Sequence, residues 1–76
     1  MNKQRRKELN VIIDKLTELR DLLENLKDEE QDYFDNMPEN LQYSERGERA
    51  EEAVTSLEEA LDNIDSAVES IEEAIE

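Results

Sequence analysis

Two runs of apolar residues spaced three and four apart, with a short stretch between them where the period fails, lay out this chain. In the first run, Leu9, Ile12, Leu16, Leu19, Leu23 and Leu26 alternate these spacings, the pattern of a helix seam. Ile13 and Leu22 flank the seam and widen it toward three positions in seven, which suits a bundle better than a two-stranded coil. Glu30 and Tyr33 take the next seam positions, so the pattern weakens as the break approaches. In the second run, Val54, Leu57, Leu61, Ile64, Val68, Ile71 and Ile75 form an unbroken seam. Ala53, Ala60, Ala67 and Ala74 recur beside it every seven residues, a column that lets another helix approach closely.

The break, Tyr33 to Gly47, holds the only Pro, the only Gly and all three aromatic residues. Pro38 lacks an N–H and its ring clashes with the carbonyl four residues back, so it ends the first helix; it also pushes Met37 out of the α region. Pro is acceptable at the start of a new turn, which predicts a short helical segment after it. Ser44 is placed to cap the second helix, with Glu45 and Glu48 complementing the positive end of its dipole. Gly47 costs about 1 kcal/mol relative to Ala early in a helix, or else marks close approach to another backbone. These signals predict one domain over 1–76: a helix over 3–35, a turn with a short helical segment over 36–43, and a helix over 44–75. The fold class is all-α, an antiparallel, coiled-coil-like helical hairpin. Two helices of about 30 residues make a rod near 45 Å long.

Length then bears on assembly. A core of 76 residues rarely supplies more than about 3–5 kcal/mol without disulfides, metal or association. The chain has no Cys and no His, so association is the remaining reinforcement. One hairpin also covers only one side of each three-in-seven face. Both points predict a homodimer, two hairpins forming a four-helix bundle.

Charge narrows the partners. A formal net charge of −14 repels phosphate, which argues against direct nucleic-acid or anionic-membrane binding. No apolar run approaches the roughly 20 residues needed to span a bilayer. The basic start (Lys3, Arg5, Arg6, Lys7) leads into Glu8, Asn10 and Asp14 rather than into an apolar stretch, so a secretory signal is not expected and the cytoplasm is the default location. After Arg49 no basic residue follows. Antiparallel folding is expected to lay Lys3–Lys7 beside Glu69–Glu76, pairs that select orientation more than they stabilise, at about 0–1 kcal/mol each.

Catalytic chemistry finds no footing. Without His or Cys there are no nucleophilic triads, thiolate sites or usual zinc ligand sets. Glu-x-x-His, needed for a carboxylate-bridged two-metal bundle, is missing, and one Gly cannot build a phosphate loop. The cluster Asp28, Glu29, Glu30, Asp32, Asp35 lacks the alternating ligands and central Gly of a calcium loop and reads as a solvated acidic face. No enzyme and no cofactor or metal is expected. Two surfaces remain. Tyr33, Phe34, Met37, Pro38, Leu41, Tyr43 and Arg46 are either a plug on the end of the core or an anchor patch for a protein partner. Glu58, Glu59, Asp62, Asp65, Glu69, Glu72 and Glu73 are either a solubilising face or a mimic of the nucleic-acid backbone that occupies a basic groove.

The block from Asp28 through Asn36-Met-Pro-Glu-Asn-Leu-Gln42, continuing into Ser44-Glu-Arg-Gly-Glu48 and Ala50-Glu-Glu-Ala53, resembles a group of small acidic proteins encoded by bacteriophages and prophages, especially of Gram-positive bacteria. The resemblance spans nearly the whole chain, and its Asn-Met-Pro-Glu-Asn-Leu-Gln core is specific. It implies a phage accessory protein in the bacterial cytoplasm, of a kind that commonly binds and redirects or inhibits a host protein, including a defence protein. The expected function is therefore protein–protein interaction through the aromatic break; the alternatives are the acidic DNA mimic and a small structural or assembly component.

Overall fold

The computed structural model describes all 76 residues and contains only helices: α1 over Lys3–Asp35, α2 over Glu39–Gln42 and α3 over Glu45–Ile75. Helices α1 and α3 fold back on one another into a rod 58 Å long and no more than 15 Å across at the backbone. The start of α1 is fixed by Asn2, whose side chain accepts from the Arg5 N–H at 2.7 Å. Its end comes where Pro38 requires it, with the Asn36 N–H donating to the Asp32 carbonyl at 3.0 Å and Met37 to Phe34 at 3.1 Å. Pro38 then opens α2, its carbonyl accepting from Leu41 and Gln42 at 2.8 and 3.1 Å. Ser44 stands at the N-cap of α3 as expected, but its hydroxyl turns back to donate to the Leu41 carbonyl instead of capping the helix.

Two contacts hold this tip. Gln42 donates its amide to the Phe34 carbonyl at 3.1 Å, a second donor on an oxygen that already accepts from the Met37 N–H. Gly47, buried in the first turns of α3, lies directly under Gln42: a Cβ there would sit 2.6 Å from the Gln42 Cα and closer still to its carbonyl oxygen. Of the two readings of this glycine, close backbone approach is the one realised.

The core is thin. Only Ala50, Val54 and Leu61 are buried apolar residues, all on α3, and no residue of α1 is buried. The α3 seam faces α1 as its periodicity predicts, every seam residue being buried or half-buried. The α1 seam departs from expectation. Leu9, Leu16 and Leu23 turn inward, but the column packed beside them is Ile13, Arg20, Lys27 and Phe34, while Ile12, Leu19, Leu26 and Tyr33 stay 45–58% exposed. Periodicity alone does not separate these columns, which differ by one residue. What separates them is that long cationic stems cover apolar surface while the Arg20 head reaches Asp65 on α3 and the Lys27 head pairs with Asp28 on its own helix, and that Phe34 closes the core under the tip.

The expected pairing of Lys3–Lys7 with Glu69–Glu76 is also replaced. The bond between the helices is Arg20 to Asp65, at 2.8 Å from Nε to Oδ1 and 3.3 Å from Nη2 to Oδ2. Counting out from that pair at about 1.5 Å per residue, Glu76 comes level with Leu9 and Asn10. The basic arm thus extends past the end of α3, and it makes no ion pair. The cause lies at the other end, where α2 and Gly47 hold the first turn of α3 beyond the end of α1.

An alanine in a helix normally gains about 1 kcal/mol over glycine. Gly47→Ala is expected instead to lower the stability to urea unfolding by about 1–3 kcal/mol, because the Gln42 backbone must give way. A gain on this substitution would show that α2 is not held against α3. Leu61→Ala, in the core, should cost about 2–5 kcal/mol in the same assay.

Candidate functional site

The tip gathers most of the residues singled out around the break. Tyr33 at the end of α1, Met37 and Pro38 in the turn, Leu41 in α2 and Arg46 in α3 surround one shallow depression of about 370 Å³, together with Asn36. The remaining two diverge. Phe34 is half-buried and faces the core, whereas Tyr43 is the most exposed large apolar residue of the chain at 78%. The break is therefore a plug and a patch at once: Phe34, Met37 and Leu41 are half-buried, and Tyr33, Pro38, Tyr43 and Arg46 remain open to solvent. Arg46 takes part in no ion pair, while neighbouring Arg49 pairs with Glu45.

Behind the tip, the hairpin has two unlike edges. On one, Arg20 and Lys27 lean out toward Glu24, Glu58 and Asp62, and these residues with Leu61 line a polar hollow. Arg20 is bound by both Glu24 and Asp65, and Lys27 donates to Asp28 at 2.7 Å. On the other edge, Tyr33 meets Arg46 and Arg49 across a hollow that Glu30, Glu45 and Ala50 complete. The exposed column of Ile12, Leu19 and Leu26 runs from Tyr33 down this second edge.

The seven carboxylates of the acidic face are all exposed. Read along the helix, Glu58, Asp65 and Glu72 follow the polar edge, and Asp62, Glu69, Glu59 and Glu73 continue around the outer side. Asp65 is not free to imitate a phosphate, since Arg20 holds both of its oxygens. No three carboxylates converge to hold a metal ion, the cluster at Asp28–Asp35 included, and no helix is long and apolar enough to cross a membrane. Sequence reasoning did not single out Arg20 or Gln42. For Arg20 the available signal is its column, Ile13, Arg20, Lys27 and Phe34, which recurs every seven residues and begins and ends on a large apolar residue. For Gln42 there was none, because its role depends on where the turn places the Phe34 carbonyl.

Arg20 and Lys27 are both held charged more firmly than in the free side chain. For Arg20 the hydrogen bond to Asp65 is the larger cause and that to Glu24 the next. For Lys27, raised above its ordinary 10.5, the bond to Asp28 leads. A raised cation pKa contributes stability that is complete below the unfolded value and is lost only as pH rises through the higher folded one. The contribution of these groups should thus be constant across neutral pH. Arg20→Met is expected to lower the melting temperature by the same amount between about pH 6 and 9, and by less at high salt than at low salt, because the pair is partly exposed. Adding Asp65→Asn should cost less than it does in the wild type. Full additivity in this cycle would mean that the two side chains do not couple.

With the geometry in place, comparison with other proteins adds no relative: the chain matches no family model, no curated protein and no solved structure.

Proposed function

We propose that this chain is a non-enzymatic phage or prophage accessory protein that acts by protein–protein contact. In this reading it is a homodimer, two hairpins forming a four-helix bundle in the bacterial cytoplasm, and its tip engages a host protein, a defence protein among the candidates. The observation that carries the reading is the tip itself. Tyr33, Met37, Pro38, Leu41 and Arg46 surround one depression, with Tyr43 standing almost fully exposed in the same turn. Aromatic and Arg side chains on a rigid support are the groups that most often anchor an interface. Here the support is firm, since the Gln42–Phe34 hydrogen bond and the seat on Gly47 tie the turn to both helices. The phage setting rests on the resemblance of the Asn36–Gln42 block, and the absence of His and Cys underlies the non-enzymatic part.

The test begins with capture of host proteins on the tagged chain at low and at high salt, followed by binding of the purified partner to variants. The partner is expected to survive high salt, as an apolar anchor requires, and Tyr43→Ala or Met37→Ala should weaken it by about thirtyfold, the scale of one anchor residue. A partner insensitive to both substitutions, lost at high salt and displaced by DNA would replace this reading with mimicry through the acidic face.

A further inference from the structure

The edge that carries Ile12, Leu19 and Leu26 has a second feature, on α3. In an antiparallel helix pair the column just before the inner seam of one helix shares an edge with the matching column of the other. Tyr33 and Arg46, which line one hollow, are members of these two columns. Downstream of Arg46 the α3 column reads Ala53, Ala60, Ala67 and Ala74, and the column next to it reads Ser56, Asn63 and Ser70. In a chain of net charge −14, this strip bears no charge from Ala53 to Ile75. Every carboxylate of that stretch lies on the other columns. Levelled on the Arg20–Asp65 pair, Ile12, Leu19, Leu26 and Tyr33 come beside Ala74, Ala67, Ala60 and Ala53 in turn. One edge of the hairpin is therefore four rows of a large apolar residue beside a small one, with Leu22 adding to the apolar side at 56% exposure.

We infer that a second copy of this chain covers the uncharged edge, with α1 against the partner's α1, antiparallel, about a two-fold axis at Leu22, and α3 against the partner's α3 at Asn63. This rests on the homodimer proposed above and specifies its surface and orientation. Reversal about Leu22 lays the α1 column on itself to within one residue, Leu19 near the copy's Leu26 and Ile12 near its Tyr33. Two charged residues in the column of Leu22 are complementary under the same operation: Lys15 and Glu29 stand seven residues to either side of it, with opposite signs, while Glu8 falls opposite the uncharged Asn36. The whole helix follows suit, since α1 is net positive over residues 3–19 and net negative over 20–35. A two-fold axis along the rod is the other way to bury this edge. It would set α1 over the copy's α3, leave Lys15 beside Ser70, and gather the acidic ends of both α1 helices at one end of the bundle. Antiparallel stacking separates those ends. On α3 it lays Ala60 over the copy's Ala67, small on small, so the backbones can approach.

The chain has no cysteine, so single cysteines report this geometry directly. Leu22→Cys and Asn63→Cys are each treated with a short thiol cross-linker matched to helix axes about 8–10 Å apart, with Glu58→Cys on the polar edge as the control, and mass is followed by sedimentation equilibrium. The expected result is a particle of twice 8.9 kDa, self-linking at Leu22→Cys and at Asn63→Cys, and none at Glu58→Cys. Leu19→Asp, at a residue already 58% exposed, should keep the helical signal and weaken the dimer by about a hundredfold. Links formed only between the Leu22→Cys and Asn63→Cys chains in a mixture would overturn the antiparallel arrangement while the homodimer stands. A dimer linked at Glu58→Cys and indifferent to Leu19→Asp would overturn the edge itself. A monomer at the highest concentration reached would overturn both this inference and the homodimer.

Discussion

The contact on which this fold depends is the one between two stretches of backbone at the tip. Because Gly47 has no side chain, Gln42 rests on α3, and that contact holds the first turn of α3 beyond the end of α1. Everything along the rod inherits the offset. It brings Asp65 to Arg20 and leaves the basic residues 3–7 projecting past the last turn of α3. It also sets the four leucine-column residues level with the four alanines. A hairpin with three buried apolar residues has little core energy with which to choose among sliding registers, since each shift by a heptad replaces apolar residues with similar ones. A steric stop at one end and a charge pair near the middle choose for it.

The same scarcity of core explains how polar residues come to sit in the α1 seam. Arg20 and Lys27 occupy positions where leucines stand one residue earlier, at Leu19 and Leu26. Their methylene stems lie against the α3 seam, and the Arg20 head makes the one ion pair between the two helices, to Asp65. With leucines turned inward, the acidic edge would face nothing cationic and two more aliphatic side chains would be covered. With the cations inward, the hairpin holds its acids in check and keeps an apolar column in reserve on the opposite edge. The hairpin leaves that column 45–58% exposed. An antiparallel pair has one seam, and the reserve column lies outside it.

Much of this was legible in the residues. The 3.6-residue period, Pro38, Ser44 and the single Gly place the three helices, and the α3 seam is read correctly because its alternatives are alanine or carboxylate. Periodicity misassigns the α1 seam because its two candidate columns, 12–19–26–33 and 13–20–27–34, are one residue apart. A polarity rule prefers the leucines, whereas the partner helix favours the other column through Asp65, which holds Arg20. The expected end-to-end charge pairing fails for a related reason. It assumes equal overlap of the helices, and the thickness of the turn, set by α2 on Gly47, has no signature in periodicity. At the tip, composition identified the group of residues but not their division, since whether an aromatic ring packs or protrudes is settled by turn geometry.

Charge and assembly bear on each other. A helix as acidic as α3 resists any neighbour of its own kind, yet its repeat confines that acid to three adjacent columns and fills the remaining outward strip with Ala, Ser and Asn. If the acid served solubility alone, this strip would be the natural place for more of it, since the columns of Glu and Asp already crowd one another. Its emptiness makes sense where water and charge are to be excluded. Two copies stacked in opposite directions on that strip would carry their tips at the two ends of one rod. A partner that presents two sites at the matching separation would then be held by both tips, and the gain over a single contact is set by effective concentration with no new contact needed. The stiffness of paired helices fixes that separation, which a flexible linker would not.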